Sequence, residues 1–166
     1  DQFKNADNMT DRLSSLVSIL NNDSQKKEWA LQHYYSQWKN DPSAIDKWFS
    51  VQASSRAIDT LKIVKSLTQH KAFDYSNPNK VYALIRSFGA NHLRFHDKSG
   101  EGYNFLADQI IKLDAINPQV AARISRSYDR CKRLDHDRWS LACKALTKIN
   151  NFSSLSKDTR EVISKI

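Results

Sequence analysis

The stretch "NPNKVYALIRSF", Asn77–Phe88, carries the pattern on which the fold turns. Val81, Leu84, Ile85 and Phe88 recur at i, i+3, i+4 and i+7, the spacing that lines one face of an α-helix. Asn77 is suited to accept a hydrogen bond from a first-turn N–H. Pro78 takes the first helical position, where the N–H it lacks has no intrahelical partner anyway. The same punctuation occurs twice more, as Asp41-Pro42 and Asn117-Pro118. The three prolines stand 36 and 40 residues apart, room in each interval for two helices and their connections. A recurrence of about 40 residues with two helices per unit is the signature of stacked helical hairpins. The competing reading is that helices favour such starts and the spacing is coincidence.

Other segments follow the same template. Leu13, Leu16, Val17 and Leu20 form one stripe, Tyr103, Leu106, Ile110 and Leu113 another, and Leu134, Leu141, Ala145 and Ile149 a third. Leu31, Tyr34, Tyr35 and Trp38 share one side of "EWALQHYYSQW", and Ile58, Leu61, Ile63 and Val64 make a shorter stripe. No segment of useful length alternates apolar and polar residues. Three Gly and three Pro are too few for the tight turns that a sheet requires. The expectation is therefore an all-α protein, an α-solenoid of stacked antiparallel helix pairs (HEAT/armadillo-like) with about nine helices, one domain over 1–166. Gly89, Gly100 and Gly102 gather in one place and mark 89–102 as a long irregular connection, a kind of loop that is often functional.

Composition narrows the function. Hydrophobic residues at 40% and charged residues at 27% describe an ordinary globular chain rather than a disordered one. No apolar run reaches the ~18 residues of a membrane span, so no membrane partner is expected. Cys131 and Cys143 fall on different predicted helices and are read as two free thiols in a reducing, cytoplasmic setting. The net charge of +8 invites nucleic acid or an acidic surface, but the basic residues run along the whole chain, which favours a solvated basic surface. The opening "DQFKNADN" does not read as a natural start, so a fragment of a longer protein is expected.

Candidate chemistry is sparse. "HLRFH" places His92 and His96 one helical turn apart, the spacing of two zinc ligands. A zinc hydrolase helix needs H-E-x-x-H, and Leu93 stands where the Glu belongs. The nearby glycines speak against a helix, and the two histidines are read as loop residues, one bonded to backbone. No nucleophile elbow, phosphate loop or Cys–His pair is present, so no catalytic residue is assigned. The segment "NPQVAARISRSYDRCKR" is more informative. On a helix, Gln119 and Arg123 share one face with Arg130 two turns on, and Arg126 and Arg133 form a second row. Such a face suits phosphates, or a peptide carboxylate and carbonyls, or is simply solvated and paired with Asp129, Asp135 and Asp137.

Five segments in order, "NMTDRLSSL", "DKWFSVQAS", "SNPNKVYALIRSFG", "FHDKSGEGYNFLADQI" and "INPQVAARI", resemble the C-terminal helical domain of the bacterial aminopeptidase N family, the zinc-dependent alanyl aminopeptidases of the gluzincin class. The likeness runs from about Asn8 to the end. It implies a four-domain parent enzyme whose separate catalytic domain holds zinc and removes N-terminal residues from peptides. It implies that this domain caps the active-site cavity, restricting entry to short peptides, with the catalytic domain of the same polypeptide as its partner. It further implies substrate-binding roles for Gln119 and Arg123, on the side after the scissile bond, and no metal or cofactor in this chain. One departure stands out: members of the family present an Arg from the "SNPN" helix, where this chain has Tyr82. The runner-up from another class is a free-standing HEAT-like scaffold that binds protein or nucleic acid through the basic helix.

Overall fold

The computed structural model describes residue 3, residues 8–22 and residues 25–166. Residues 1, 2, 4–7, 23 and 24 of the expected 1–166 unit lie outside the described residues. The described residues form ten helices and no strand. They are α1 (Met9–Asn21), α2 (Lys27–Trp38), α3 (Pro42–Ala53) and α4 (Thr60–Leu67). Next comes α5, which runs from Pro78–Val81 through a π turn at Tyr82–Arg86 to Ser87–Gly89. The remainder are α6 (His92–Phe95), α7 (Glu101–Asp114), α8 (Pro118–Ser125), α9 (His136–Asn150) and α10 (Lys157–Lys165). Two short 3-10 turns, Arg126–Tyr128 and Cys131–Arg133, bridge α8 and α9.

The three Asx-Pro starts work as the sequence predicts. Asp41 accepts from the backbone N–H groups of Ser43 and Ala44, Asn77 from that of Asn79, and Asn117 from that of Val120. Pro sits in the first turn of each helix, α3, α5 and α8. These caps fix where each helix begins, and the apolar stripes fix which face turns inward. Val81, Leu84, Ile85 and Phe88 of α5 are all buried, as are Tyr103, Leu106, Ile110 and Leu113 of α7. Helix α3 packs on α2, α4 and α5, while α7 packs on α8 and α9, and α8 on α10. One continuous core runs through these contacts, from Leu16 to Ile163. This is the expected α-solenoid of packed helix pairs.

Two polar ties cross the stack. Lys80 of α5, nearly buried, donates to Asp46 at 2.7 Å and to the Pro42 carbonyl at 3.1 Å, so two of the Pro-started helices are joined near their origins. The Asp114 carboxylate at the end of α7 accepts from the Ser156 backbone N–H at 2.7 Å, the Ser156 hydroxyl at 2.5 Å and the Thr159 hydroxyl at 2.5 Å. Asp114 and Thr159 are buried, so this carboxylate clamps the start of α10 to α7 with its acceptor capacity well used.

The structure departs from the sequence expectation in four places. Ten helices form rather than about nine, because the 89–102 connection contains the single turn α6. The Asn91 carboxamide explains that turn. Its oxygen caps Arg94 while its NH2 donates to the carbonyls of Ala53 and Ser55, tying the turn to the end of α3. Ile58 is 88% exposed and precedes α4, and Val17 is also exposed, so neither belongs to the core stripe that periodicity suggested. Leu134 lies outside α9. Finally, "NPQVAARISRSYDRCKR" is not one helix: it leaves α-geometry after Ser125, where a tighter turn carries Tyr128 into the core and its hydroxyl to the Tyr103 carbonyl at 2.6 Å.

Candidate functional site

The break after α8 shapes the one basic concavity of note. A cleft of about 390 Å³ opens between the end of α5, the turn α6 and the 126–130 segment. Arg86, Arg123, Arg126 and Arg130 line it, with His92, His96, Ser127 and Asp129. Gly89 lets its walls approach, because a Cβ there would collide with the Ser127 side chain. Arg126 is paired with Asp129 at 3.5 Å. Arg86, Arg123 and Arg130 have no carboxylate partner among the described residues. The other acid proposed as a partner for this face, Asp135, is used elsewhere: it caps α9 at Arg138 and holds that guanidinium at 2.5 Å. Those bonds to Arg138 keep the Asp135 carboxyl below its usual range.

Tyr82 organises two of the arginines. The Arg86 guanidinium carbon lies 5.7 Å and that of Arg123 5.8 Å from the Tyr82 ring centroid, both at cation–π distance. The residue that replaces the family's Arg on α5 is therefore a platform for two other arginines. Arg86, four residues on, restores a cation to this wall. Sequence reasoning overlooked Arg86. The available signal was its i+4 relation to Tyr82, and what hid it was the tertiary approach of α8.

Gln119 and Arg123 are both exposed on α8, one turn apart, as their spacing requires. Only Arg123 lines the cleft. Arg130 reaches the cleft too, through the 3-10 turns rather than along a continuous helix. Arg133 does not line it.

The histidines do not form a metal site. Their ring centroids are 5.7 Å apart, but His96 is buried and its Nδ1 is engaged with the Tyr103 hydroxyl at 2.9 Å. The expected backbone bond to a histidine ring is thus a bond to a side-chain hydroxyl. Burial, then the neighbouring His92 and Arg138, pull the His96 pKa down to about 4, so it is a neutral core group at ordinary pH. No set of three or more His, Cys, Asp or Glu side chains among the described residues is placed to hold a metal ion. Cys131 and Cys143 are free thiols. Burial pushes the Cys131 thiol up to about 12, far from nucleophilic character.

What these features define is a helical-repeat domain with a basic cleft and a chemically quiet interior. The chain belongs to the family described as "Domain of unknown function (DUF3458_C) ARM repeats", whose model matches residues 1–166. It is similar to aminopeptidase N from Haemophilus influenzae (37% identical over 164 residues, 98% of this chain and 19% of the relative). Aminopeptidase N from Caulobacter vibrioides is 39% identical over 164 residues, again 98% of this chain and 19% of the relative. The Escherichia coli aminopeptidase N is 38% identical over 165 residues, 99% of this chain and 19% of the relative. Among solved structures, aminopeptidase A from Legionella pneumophila in complex with aspartic acid superposes with a TM-score of 0.94 at 39% identity, over 99% of this chain and 19% of that one. The resemblance to bacterial aminopeptidase N thus extends along nearly the whole chain. The chain spans about a fifth of the length of the relatives it matches. No described helix is long and apolar enough to cross a membrane.

Proposed function

We propose that this chain is the C-terminal helical domain of a cytoplasmic zinc-dependent aminopeptidase that removes N-terminal residues from short peptides. The observation that carries the reading is the 37–39% identity to aminopeptidase N across nearly every residue of the chain. In this reading zinc and the hydrolytic groups belong to a catalytic domain elsewhere in the polypeptide, since the donors present here do not fit a metal. The contribution of this domain is a wall. Its helix stack closes one side of the active-site cavity and limits what enters. Arg123, with Gln119 beside it on α8, contacts the peptide after the scissile bond by charge-assisted hydrogen bonds. Such contacts raise the effective affinity and alignment of a peptide without taking part in bond breaking.

The test uses the full-length polypeptide and two substrates. One is an aminoacyl anilide, which offers no residue after the scissile bond, and the other is a tripeptide. Gln119→Ala and Arg123→Ala are expected to lower kcat/KM for the tripeptide by roughly tenfold each and to leave the anilide within about twofold. Equal losses on both substrates, or none on either, would refute the contact. The scaffold reading draws on the same uncompensated arginines. It requires binding of single- or double-stranded oligonucleotides that weakens with salt at a slope near −0.9 per phosphate contact on duplex DNA.

A further inference from the structure

The arrangement at Tyr82 calls for a ligand that α8 alone does not explain. Three guanidinium groups, Arg86, Arg123 and Arg130, share one cleft without a carboxylate among the described residues to compensate them. Two of them are held on a single tyrosine ring, at 5.7 and 5.8 Å. Like charges gathered in this way repel, and an anion in the cleft turns that cost into attraction. Because each guanidinium presents a planar fork of donors, the anion it suits best is a carboxylate or another flat oxyanion. The lone acid of the cleft, Asp129, is paired with Arg126 and leaves the other three arginines available. The cleft is also too wide for a single small ion. At about 390 Å³ it has room for two or three residues of extended peptide. Gly89, set against Ser127, fixes the spacing of its walls.

We propose that Arg86, Arg123 and Arg130 form a multi-carboxylate site, one that takes the acidic stretch of a peptide. This rests on the aminopeptidase reading for its biological setting and on the cleft alone for its chemistry. In that setting Arg86 and Arg130 set a preference for peptides that carry Asp or Glu beyond the first bond. The cation missing at position 82 is replaced one turn later, on a residue that shares the Tyr82 ring with Arg123.

Binding is measured by titration calorimetry on this chain at low ionic strength, with Ala-Asp-Glu, with its uncharged analogue Ala-Asn-Gln amide, and with inorganic phosphate. The acidic peptide is expected to bind at least roughly tenfold more tightly than the analogue, and Arg86→Ala and Arg130→Ala each to weaken it by roughly tenfold. Arg133→Ala, which removes a cation outside the cleft, is expected to change it less than about twofold. Circular dichroism of each variant separates lost binding from lost folding, and Arg86→Lys adds a milder change that keeps the charge and removes the fork. Equal binding of the two peptides, indifference to Arg86 and Arg130, or phosphate bound as tightly as the acidic peptide would overturn the assignment. Arginine-dependent binding of the acidic peptide upholds it whatever the effect on turnover. If the full-length polypeptide then hydrolyses acidic and neutral peptides alike, the proposed function is what suffers.

Discussion

Lowering the pH should unfold this protein through His96, and the size of the effect follows from its surroundings. The ring is 8% exposed, meets Tyr103 through Nδ1, and lies beside His92, Phe95 and Arg138, whose Nε donates to the His96 carbonyl at 2.6 Å. In the unfolded chain the imidazole titrates near its ordinary value of 6.5, and in the folded protein near 4. Above the unfolded value both states hold the ring neutral and His96 gives no pH dependence. As pH falls below it, the unfolded chain takes up a proton that the folded chain refuses, so stability declines until the folded value is passed. Linkage over that interval gives a loss of about 2 kcal/mol at pH 5 and about 3 kcal/mol at pH 4. The perturbation that isolates it is His96→Asn. The Asn carboxamide places a polar atom where Nδ1 stands, keeping a partner for the Tyr103 hydroxyl, and it does not titrate. Urea unfolding of both proteins, followed by helical circular dichroism between pH 7 and pH 4, gives the difference directly, because carboxylates common to both cancel. The wild type should lose about 3 kcal/mol relative to His96→Asn across that range. Parallel stability curves for the two proteins would refute the reasoning.

Asp114→Ala removes the acceptor of three hydrogen bonds at the α7–α10 junction and strands the Thr159 hydroxyl in the core; a loss of about 3 kcal/mol in urea unfolding is expected. Gly102→Ala drives a Cβ toward the Phe95 backbone carbonyl, which cannot yield as a side chain would, and should cost about 3–4 kcal/mol. Gly100→Ala strains a left-handed backbone at φ +72° while meeting only the Leu141 side chain, so thermal unfolding should register the smaller loss of about 1–2 kcal/mol. Treatment of the native protein with a thiol reagent should modify Cys143, and Cys131 only after denaturant is added, as its burial and its raised pKa both dictate.

Much of the fold was written in short-range chemistry. Asp41, Asn77 and Asn117 declare their helices by a hydrogen bond that spans two or three residues, so no knowledge of the rest of the chain is needed. The stripes of α5 and α7 are equally local. What the sequence conceals is decided at a distance. Asn91 makes a helical turn among glycines because the carbonyls of Ala53 and Ser55 receive its amide. Ile58 satisfies an apolar period yet falls before the helix begins, and Tyr128 ends a helix by entering a core that other elements build. The site divides in the same way. Arg123 is visible from the spacing of α8 and from the family resemblance, and Gln119 stands beside it on the same helix but off the cleft. Arg86 and its meeting with Arg123 over Tyr82 exist only once α5 and α8 are packed.

The widened turn at Tyr82–Arg86 has a consequence for how such a chain tolerates change in length. A π turn holds one residue more than the α-helix it interrupts. Excising any one of these five residues would restore regular winding and swing everything after it by roughly 100°. Gly89 would then leave its seat against Ser127, and the basic hollow would lose its floor. Side chains along this helix can be exchanged one for another, but a codon lost between Pro78 and Gly89 would be far harder to absorb.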